Sequence, residues 1–213
     1  QPLICGSLLT FEHGEDGKKY GFDKVIMLAG GIGFGKKSDA EKDVPQKGDV
    51  VVLLGGDNYR IGMGGGAVSS VDTGEYENAI ELNAVQRANP EMQKRVFNAI
   101  RAFAETTQNP IISIHDHGAG GHLNCLSELV EASGGKLDKL PVGDPTLSAK
   151  EIIGNESQER MGLVIKHEDV DQLVRIADRE RAPIYIIGET TDDHRFVFES
   201  EKTGEKPMDL ELA

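Results

Sequence analysis

Short apolar runs alternate along this chain with segments whose apolar residues recur at helical spacing. Such runs are typical of buried strands, because they are short and are flanked by turn-forming residues. One further run, at 59–63, follows a turn-like spacer and predicts a hairpin with the run before it. Hairpins mixed with helices disfavour a doubly wound parallel sheet and predict an α+β layered domain. The predicted strands lie at 24–29, 49–54, 110–115, 162–165, 183–187 and 195–198.

The clearest predicted helix begins at Asn89 and Pro90. Asn is a good N-cap, and Pro at the first helical position lacks only an N–H that would be unpaired in any case. Two further helices are predicted at 123–132 and around 170–177, and Ser148 and Glu151 have capping-box spacing. The first helix has one apolar face, made of Met92, Val96, Ala99, Ile100 and Phe103.

The formal net charge of −13 over 213 residues argues against nucleic acid as a partner, because phosphate backbones require Lys and Arg. No apolar stretch approaches the ~20 residues of a membrane-spanning helix, so we expect no membrane contact. Cys5 and Cys125 form no CxxC pair, which disfavours a disulfide framework and a zinc cluster. No signal peptide is recognisable at the start, so we predict a cytoplasmic location.

The polar, glycine-rich segment 12–21 predicts a loop or linker. We therefore expect residues 1–22 to be a linker from an upstream domain and 23–200 to form the folded domain. Residues 201–213, which turn polar again, are expected to lead to a downstream domain. The chain starts at Gln1 rather than Met and is expected to come from a longer protein.

Two glycine-rich loops could approach a ligand. Residues 62–67 match GxGxxA, but turn-forming residues follow where a dinucleotide-binding loop needs a helix, so that fold is disfavoured. No GxxxxGK[ST] motif occurs. The loop 118–121 instead joins a predicted strand to a predicted helix, so the amides of Gly118, Gly120 and Gly121 could bind an anion such as phosphate.

Asp116 closes the strand before this loop, where a carboxylate can hold Mg²⁺ through one oxygen while phosphate and water complete its shell. The alternative is that Asp116 caps the turn and that His115 and His117 are ordinary loop residues. His117 could act as a base, but no paired nucleophile is apparent. We expect His122 to be an exposed residue of the first helical turn.

The segment 155–160, NESQER, directly precedes an apolar strand. Six consecutive hydrogen-bonding side chains beside a core strand are costly to bury unpaired, so they should meet a ligand, water or one another. The alternative is a solvated loop. Gln86, just before the Pro90 helix, could add an amide to such a site.

Five blocks of the sequence resemble the phosphoribosylformylglycinamidine synthase family and occur in that family's order. They read GGDNYRIGMGGGAVSS, VQRANPEMQKR, IHDHGAGGHLN, EIIGNESQERMGLVI and RERAPIYIIGETT, within roughly residues 24–190. The likeness is to the large single-chain form and to the C-terminal subdomain of its first synthetase half. It implies the three-layer, partly ferredoxin-like α+β domain of the aminoimidazole ribonucleotide synthetase superfamily.

The resemblance also implies an activity. Members of the family are ligases of purine biosynthesis that convert formylglycinamide ribonucleotide, ATP and glutamine to formylglycinamidine ribonucleotide, ADP, phosphate and glutamate. ATP phosphorylates the formamide oxygen, and ammonia from glutamine displaces the phosphate. By the family pattern, Asp116 corresponds to a magnesium ligand. The positions that correspond to the substrate site are Gln86, Glu156, Ser157 and Gln158.

The family's glycine-rich ATP segment, synthetase histidine and glutaminase cysteine match no residue here, so we assign no catalytic residue. The expected cofactors are Mg²⁺ and ATP, the latter bound mainly by other parts of a longer chain. The expected partners are formylglycinamide ribonucleotide and the remaining synthetase and glutaminase domains, and the chain alone should be inactive. The alternatives are a scaffold or structural nucleotide-binding domain of the same enzyme, or a sister enzyme, which the pairing of VQRANPE with GNESQER disfavours.

Both the chemical and the family argument require Asp116 and the segment 155–160 to meet at one cleft, although about 40 residues separate them.

Overall fold

The computed structural model describes residues 5–22, 26–63, 68, 71, 75–84, 89–157, 159–200 and 203–212. Within these residues the strands are β1 Cys5–Leu9, β2 Glu12–Glu15, β3 Lys18–Gly21, β4 Ile26–Gly30, β5 Val50–Leu54, β6 Ile111–Asp116, β7 Gly135–Leu137, β8 Met161–Ile165, β9 Ile184–Thr190, β10 Arg195–Phe198 and β11 Met208–Glu211. The helices are α1 Asn78–Leu82, α2 Pro90–Ala104, α3 Gly121–Leu129, α4 Ala149–Ile153 and α5 Val170–Glu180.

Seven strands form the main sheet, in the order β11-β10-β7-β9-β5-β8-β6. Neighbouring strands are antiparallel except for β7 and β10, which are parallel. The predicted strands at 49–54, 110–115, 162–165, 183–187 and 195–198 all belong to this sheet, with ends shifted by a few residues. The domain combines helices with a mainly antiparallel sheet, as the sequence predicted, which confirms the α+β class.

β5 lies at the centre of the sheet, and all five of its residues are buried. Val51 and Leu53 pack in one apolar cluster with Leu126 and Leu129 of α3. The alternate residues Val50, Val52 and Leu54 pack in a second cluster with residues of α2 and α5. Because successive side chains of a strand point to opposite faces, helices cover both faces of the sheet, and the domain has three layers.

Part of the sheet has the ferredoxin-like arrangement. The chain runs β5, α2, β6, then β8, α5, β9, and these four strands lie in the order β9-β5-β8-β6. This is the βαββαβ order in which each crossover helix lies on one face of an antiparallel sheet. The helices α2 and α5 both pack on the cluster of Val52 and Leu54. The partly ferredoxin-like fold predicted from the resemblance is therefore present.

The helix predicted at Asn89 and Pro90 is α2. The Asn89 side chain accepts a hydrogen bond from the Met92 N–H at 2.9 Å, and Pro90 occupies the first turn. The apolar face predicted for this helix is buried at Val96, Ala99 and Phe103. The capping box at Ser148 is also present, with both of its hydrogen bonds, at the start of α4.

Residues 12–21 are a β-hairpin, so the prediction of a loop is wrong. β2 and β3 pair through a two-residue turn in which Asp16 and Gly17 have φ of 51° and 74°. An Asp-Gly pair favours this turn because both positions need positive φ. Opposite charges also face each other across the strands, as at Glu12 and Lys19, 3.5 Å apart. Beside the hairpin, β1 pairs with β4.

The hairpin predicted at 59–63 is absent, and these residues form no strand. Instead Asn58 bridges to Val142 and Met63 bridges to Asn155, so long-range partners take up this segment. The polar tail also differs from the linker expected at 201–213, because β11 pairs with β10. No helix in the described ranges is long and apolar enough to cross a membrane.

Replacing Gly188 with Ala should destabilise the sheet. A Cβ at Gly188 in β9 would fall on the carbonyl oxygen of Lys136 and 2.9 Å from the Leu137 Cα, both on the backbone of β7. Relief requires the strands to separate, so we expect the free energy of unfolding to fall by about 3 kcal/mol. Urea denaturation measures it, and Gly30→Ala, whose Cβ would meet nothing within 4 Å, is the control. Equal stabilities of the two variants would contradict the close approach of β7 and β9.

Candidate functional site

Asp116 and the segment 155–160 lie side by side at one end of the sheet. β6 and β8 are antiparallel, with Asp116 opposite Met161. One residue beyond the pair, the His117 N–H donates to the Arg160 carbonyl at 3.3 Å. The end of β6 and the start of β8 are therefore hydrogen-bonded neighbours, so Asp116 and the segment 155–160 lie close together, although none of the three described cavities includes them.

The Asp116 side chain is 72% exposed. Within the described residues its carboxylate accepts no backbone hydrogen bond, so the alternative that Asp116 caps the turn does not hold. His115 lies beside it, with Nδ1 facing the Asp116 carbonyl at 2.7 Å and Nε2 facing Glu128 Oε2 at 2.6 Å. An accessible carboxylate without a backbone donor retains its lone pairs for a cation.

The glycine loop 118–121 turns the chain directly into α3. Gly120 and Gly121 have φ of 85° and 60°, and the Gly121 N–H donates to the Gly118 carbonyl at 3.1 Å. A Cβ on Gly121 would fall on the carbonyl of Asn155. Glycine is needed here both for positive φ and because the loop packs directly on the backbone of the segment 155–160.

The described residues of the segment 155–160 are buried, so the alternative of a solvated loop is wrong for them. Ser157 and Arg160 are 0% exposed, and Glu156 and Glu159 are also buried. Asn155 holds the segment against residues 59–63, since its amide donates to the carbonyls of Tyr59, at 3.0 Å, and of Ile61.

Glu159 ties this segment to the start of α2. Its Oε1 accepts from the Asn89 N–H at 3.0 Å, and its Oε2 accepts from the Ser157 hydroxyl at 2.6 Å. Because Ser157 donates its only proton to Glu159, it offers lone pairs to any further partner. A ligand that contacts Ser157 in this arrangement would do so through a donor group.

Arg160 is the largest fully buried side chain among the described residues. Its guanidinium donates to the carbonyls of Gly56 at 2.7 Å and Asp57 at 2.6 Å, and to Asn155 Oδ1 at 2.6 Å. Burial lowers the pKa of Arg160 to about 10, against the opposing effect of nearby Glu159 and Asp57. The guanidinium therefore stays charged at neutral pH and joins the loop 55–58 to the segment 155–160.

His117 and His122 are both buried, so the prediction of an exposed His122 is wrong. His122 Nε2 lies 3.0 Å from Asn58 Oδ1, and its Nδ1 lies 2.9 Å from His117 Nε2. Burial lowers the pKa of both histidines well below the usual value, and nearby positive charge lowers it further. Both rings are therefore neutral near pH 7.

Two of the predicted substrate residues, Gln86 and Gln158, lie outside the described residues, as does most of the glycine loop 62–67. Their described neighbours nonetheless adjoin the site. Met63 bridges to Asn155, and the Asn89 N–H donates to Glu159. The three described cavities lie elsewhere; one of about 520 Å³, for example, is lined by residues 106–112 and 166–172 with Asp43.

Sequence reasoning did not connect Asn58 and His122 with this site, and it placed Arg160 there only as one member of the segment 155–160. Arg160 belongs to a polar segment whose burial depends on β6 and β8 becoming neighbours. Asn58 and His122 are 64 residues apart. A usable signal was the unusual density of polar residues around apolar strands, since buried polar groups need partners.

Replacing Arg160 with Met should destabilise the domain, because one buried and two partly buried oxygens would lose their donor. We expect a loss of about 3–5 kcal/mol, the range for breaking a buried charged interaction from one side. The control is Arg195→Met, whose pairing with Asp209 is exposed to solvent and so contributes little to stability. Urea denaturation of both variants measures the difference. A loss below 1 kcal/mol for Arg160→Met would show that Arg160 does not hold the two loops together.

Residues 46–201 match the family described as AIR synthase related protein, C-terminal domain. The phosphoribosylformylglycinamidine synthase of Dictyostelium discoideum is 42% identical over 221 residues, a match that covers 100% of this chain and 16% of that protein. The Homo sapiens protein of the same name is 42% identical over 186 residues, covering 85% of this chain and 14% of its own length. This chain thus spans about one-seventh of these relatives.

Solved structures give the same fold. Phosphoribosylformylglycinamidine synthase II from Thermotoga maritima superposes with a TM-score of 0.65 at 22% identity, over 81% of this chain and 26% of that one. T. maritima PurL in complex with FGAR gives 0.65 at 23% identity, over 81% of this chain and 28% of that one. The sequence relatives confirm the resemblance to phosphoribosylformylglycinamidine synthases. The chain belongs to the AIR synthase related family, and residues 46–201 form the family's C-terminal domain.

Proposed function

We propose that this chain forms a substrate- and magnesium-contacting part of an ATP-dependent ligase that converts formylglycinamide ribonucleotide, ATP and glutamine to formylglycinamidine ribonucleotide, ADP, phosphate and glutamate. The observation that carries the proposal is the convergence of Asp116, the glycine loop and the segment 155–160 at one end of the sheet. These features combine an exposed carboxylate, backbone amides and buried polar side chains. Curated relatives that carry this enzyme name supply the reaction.

Asp116 is the residue proposed to hold Mg²⁺. The described residues contain no group of three or more His, Cys, Asp and Glu side chains able to hold a metal by themselves. Mg²⁺ suits such a site, since it usually binds through one or two carboxylates and takes its other ligands from water and phosphate. When bound, the ion would neutralise phosphate charge beside an acidic protein of net charge −13.

The loop 118–121 is proposed to bind phosphate. Gly118, Gly120 and Gly121 carry no side chain, and α3 begins at Gly121, so the loop lies at the positive end of a helix. The Gly121 N–H already donates to the Gly118 carbonyl, so the other loop amides would bind the anion. This contact needs no Lys or Arg, which fits a chain of this charge. The loop amides and the ion at Asp116 would act on one phosphorylated ligand from adjacent positions.

Glu156 and Ser157, with Gln86 and Gln158, are proposed to orient formylglycinamide ribonucleotide. The donation from Ser157 to Glu159 leaves Ser157 as an acceptor, which suits a ribose hydroxyl or an amide N–H better than a phosphate oxygen. In the full enzyme the substrate's formamide oxygen is phosphorylated, and ammonia then replaces the phosphate. Binding and orientation are the contributions of this chain to that reaction.

The remaining chemistry belongs to other parts of a longer protein. Burial raises the pKa of the Cys125 thiol, so this cysteine is a poor nucleophile and does not serve as a glutaminase residue. ATP binding and ammonia release are proposed to reside in the remaining synthetase and glutaminase domains, in the cytoplasm. The structural role of Arg160 and Glu159 favours one alternative, a scaffold or structural nucleotide-binding domain. Replacing Asp116 distinguishes this alternative from the proposed function.

Replacing Asp116 with Asn in the full-length enzyme should lower kcat by roughly 10²-fold or more, the scale of losing one preorganised charge-stabilising group. The melting temperature should not change, because Asp116 is exposed. The control is Asp178→Asn, the same change on the exposed face of α5. Steady-state kinetics over a range of Mg²⁺ concentrations and thermal melting provide the readouts. Unchanged kinetics would overturn the magnesium assignment, and a lowered melting temperature with near-normal turnover would favour the scaffold.

The 213-residue chain by itself should hydrolyse no ATP when formylglycinamide ribonucleotide and Mg²⁺ are present, because the ATP segment of the family matches none of its residues. Release of inorganic phosphate measures this, with the full-length enzyme as the positive control. Turnover by the isolated chain would mean that it holds a complete active site.

A further inference from the structure

His117 and His122 stand at the two ends of the glycine loop 118–121, one residue before it and one residue after it. Their rings meet edge to face, with centroids 4.7 Å apart, and Nε2 of His117 lies 2.9 Å from Nδ1 of His122. Both side chains are at most 1% exposed. A direct hydrogen bond therefore joins the two ends of a loop whose three glycines have no side chains to hold it.

The donor and the acceptor of each hydrogen bond in the series Asn58–His122–His117 can be assigned by starting from Asn58. The Asn58 amide donates to the Pro141 carbonyl at 2.8 Å, so its oxygen faces His122 and must accept from the Nε2–H of that ring. Neutral His122 then has an acceptor at Nδ1, to which His117 donates from Nε2. Burial, which lowers the pKa of both rings, is consistent with neutral tautomers.

The chain of hydrogen bonds ends on a firmly held residue. Asn58 is fully buried, and its backbone N–H donates to the Pro141 carbonyl at 3.3 Å. The Asn58 carbonyl also accepts from the N–H groups of Gly143, at 2.9 Å, and Asp144, at 3.2 Å. The two histidines therefore tie the glycine loop to a segment whose backbone is fixed on both sides.

A glycine loop needs such a restraint. Glycine has more backbone freedom to lose than any other residue, so a loop rich in it populates many conformations unless other contacts fix it. Among the described residues of the loop, one backbone hydrogen bond lies within the loop, from the Gly121 N–H to the Gly118 carbonyl at 3.1 Å. Amides bind an anion more tightly when their geometry is fixed before the anion arrives.

We propose that the His117–His122 hydrogen bond, anchored on Asn58, is a staple that holds the loop 118–121 in the conformation that binds a phosphate group. His117 and His122 are thus positioning residues, and they act through the loop rather than on the substrate. The loop-holding role depends on the geometry alone. The phosphate-binding consequence rests on the proposed function.

Three replacements of His117 in the full-length enzyme test the staple. Gln places its amide N–H near the position of Nε2 and can still donate to His122. Met has the same length and shape as Gln but no donor, so it removes only the hydrogen bond to His122. Asn places its amide near Nδ1 and cannot reach His122.

The first readout is amide hydrogen exchange of the segment 118–121 without ligand, followed by mass spectrometry. We expect exchange in the Gln variant to match the wild type, and exchange in the Met and Asn variants to be about tenfold faster, the scale of one hydrogen bond. Equal exchange in all four proteins overturns the staple. Wild-type exchange in the Asn variant alone overturns it as well, since Nδ1 would then be the atom that matters.

The second readout is the dissociation constant for formylglycinamide ribonucleotide, measured by calorimetry alongside the melting temperature. We expect the Met variant to bind about tenfold more weakly and the Gln variant to bind normally, at melting temperatures that differ little between the two. A purely structural role would lower the melting temperature and leave the affinity of the folded fraction unchanged. Faster exchange with unchanged affinity would retain the staple and overturn the phosphate-binding role of the loop, which belongs to the proposed function.

Discussion

The antiparallel pairing of β6 with β8 is the constraint on which the site depends. Its register puts Asp116 opposite Met161, so that the loop leaving one strand and the segment entering the other start from adjacent residues. A slip of one residue would turn the buried side chains of both strands to the opposite face, and the apolar clusters on both faces oppose that slip. The core of the domain thereby fixes the position of a carboxylate at its edge.

Burying the described residues of the segment 155–160 requires partners for their polar groups, and many of these partners are backbone groups. Arg160 and Asn155 bond carbonyls of the loop 55–61, while Glu159 bonds the first residue before α2. These bonds make the segment a junction between three parts of the chain. Because this segment also supports the fold, replacing Glu159 or Arg160 would change stability and the proposed function together. Asp116 is exposed and makes no such bonds within the described residues, so replacing it separates the two effects better.

Local signals in the sequence predicted what depends on local physics. Asn89, Pro90 and Ser148 marked helix starts correctly, because capping involves residues within one turn. The hairpin at 12–21 was missed although its Asp-Gly turn was visible. The burial of His122 could not be predicted, because its partner Asn58 lies 64 residues away in the sequence. Asn58 is itself held by the carbonyl of Pro141, which is 83 residues from Asn58. Long-range pairing decides which polar residues become internal.

An acidic chain that binds phosphate must concentrate its favourable contacts locally, because its net charge repels the ligand at a distance. Backbone amides and a bound cation do this without adding basic side chains, but both depend on geometry rather than on total charge. The glycine loop has the amides, but its glycines have no side chains to hold them still. Two neutral histidines, which add no charge and bond to each other across the loop, supply that restraint from buried positions. In the proposed site, neutral side chains would thus determine how well an acidic protein binds an anion.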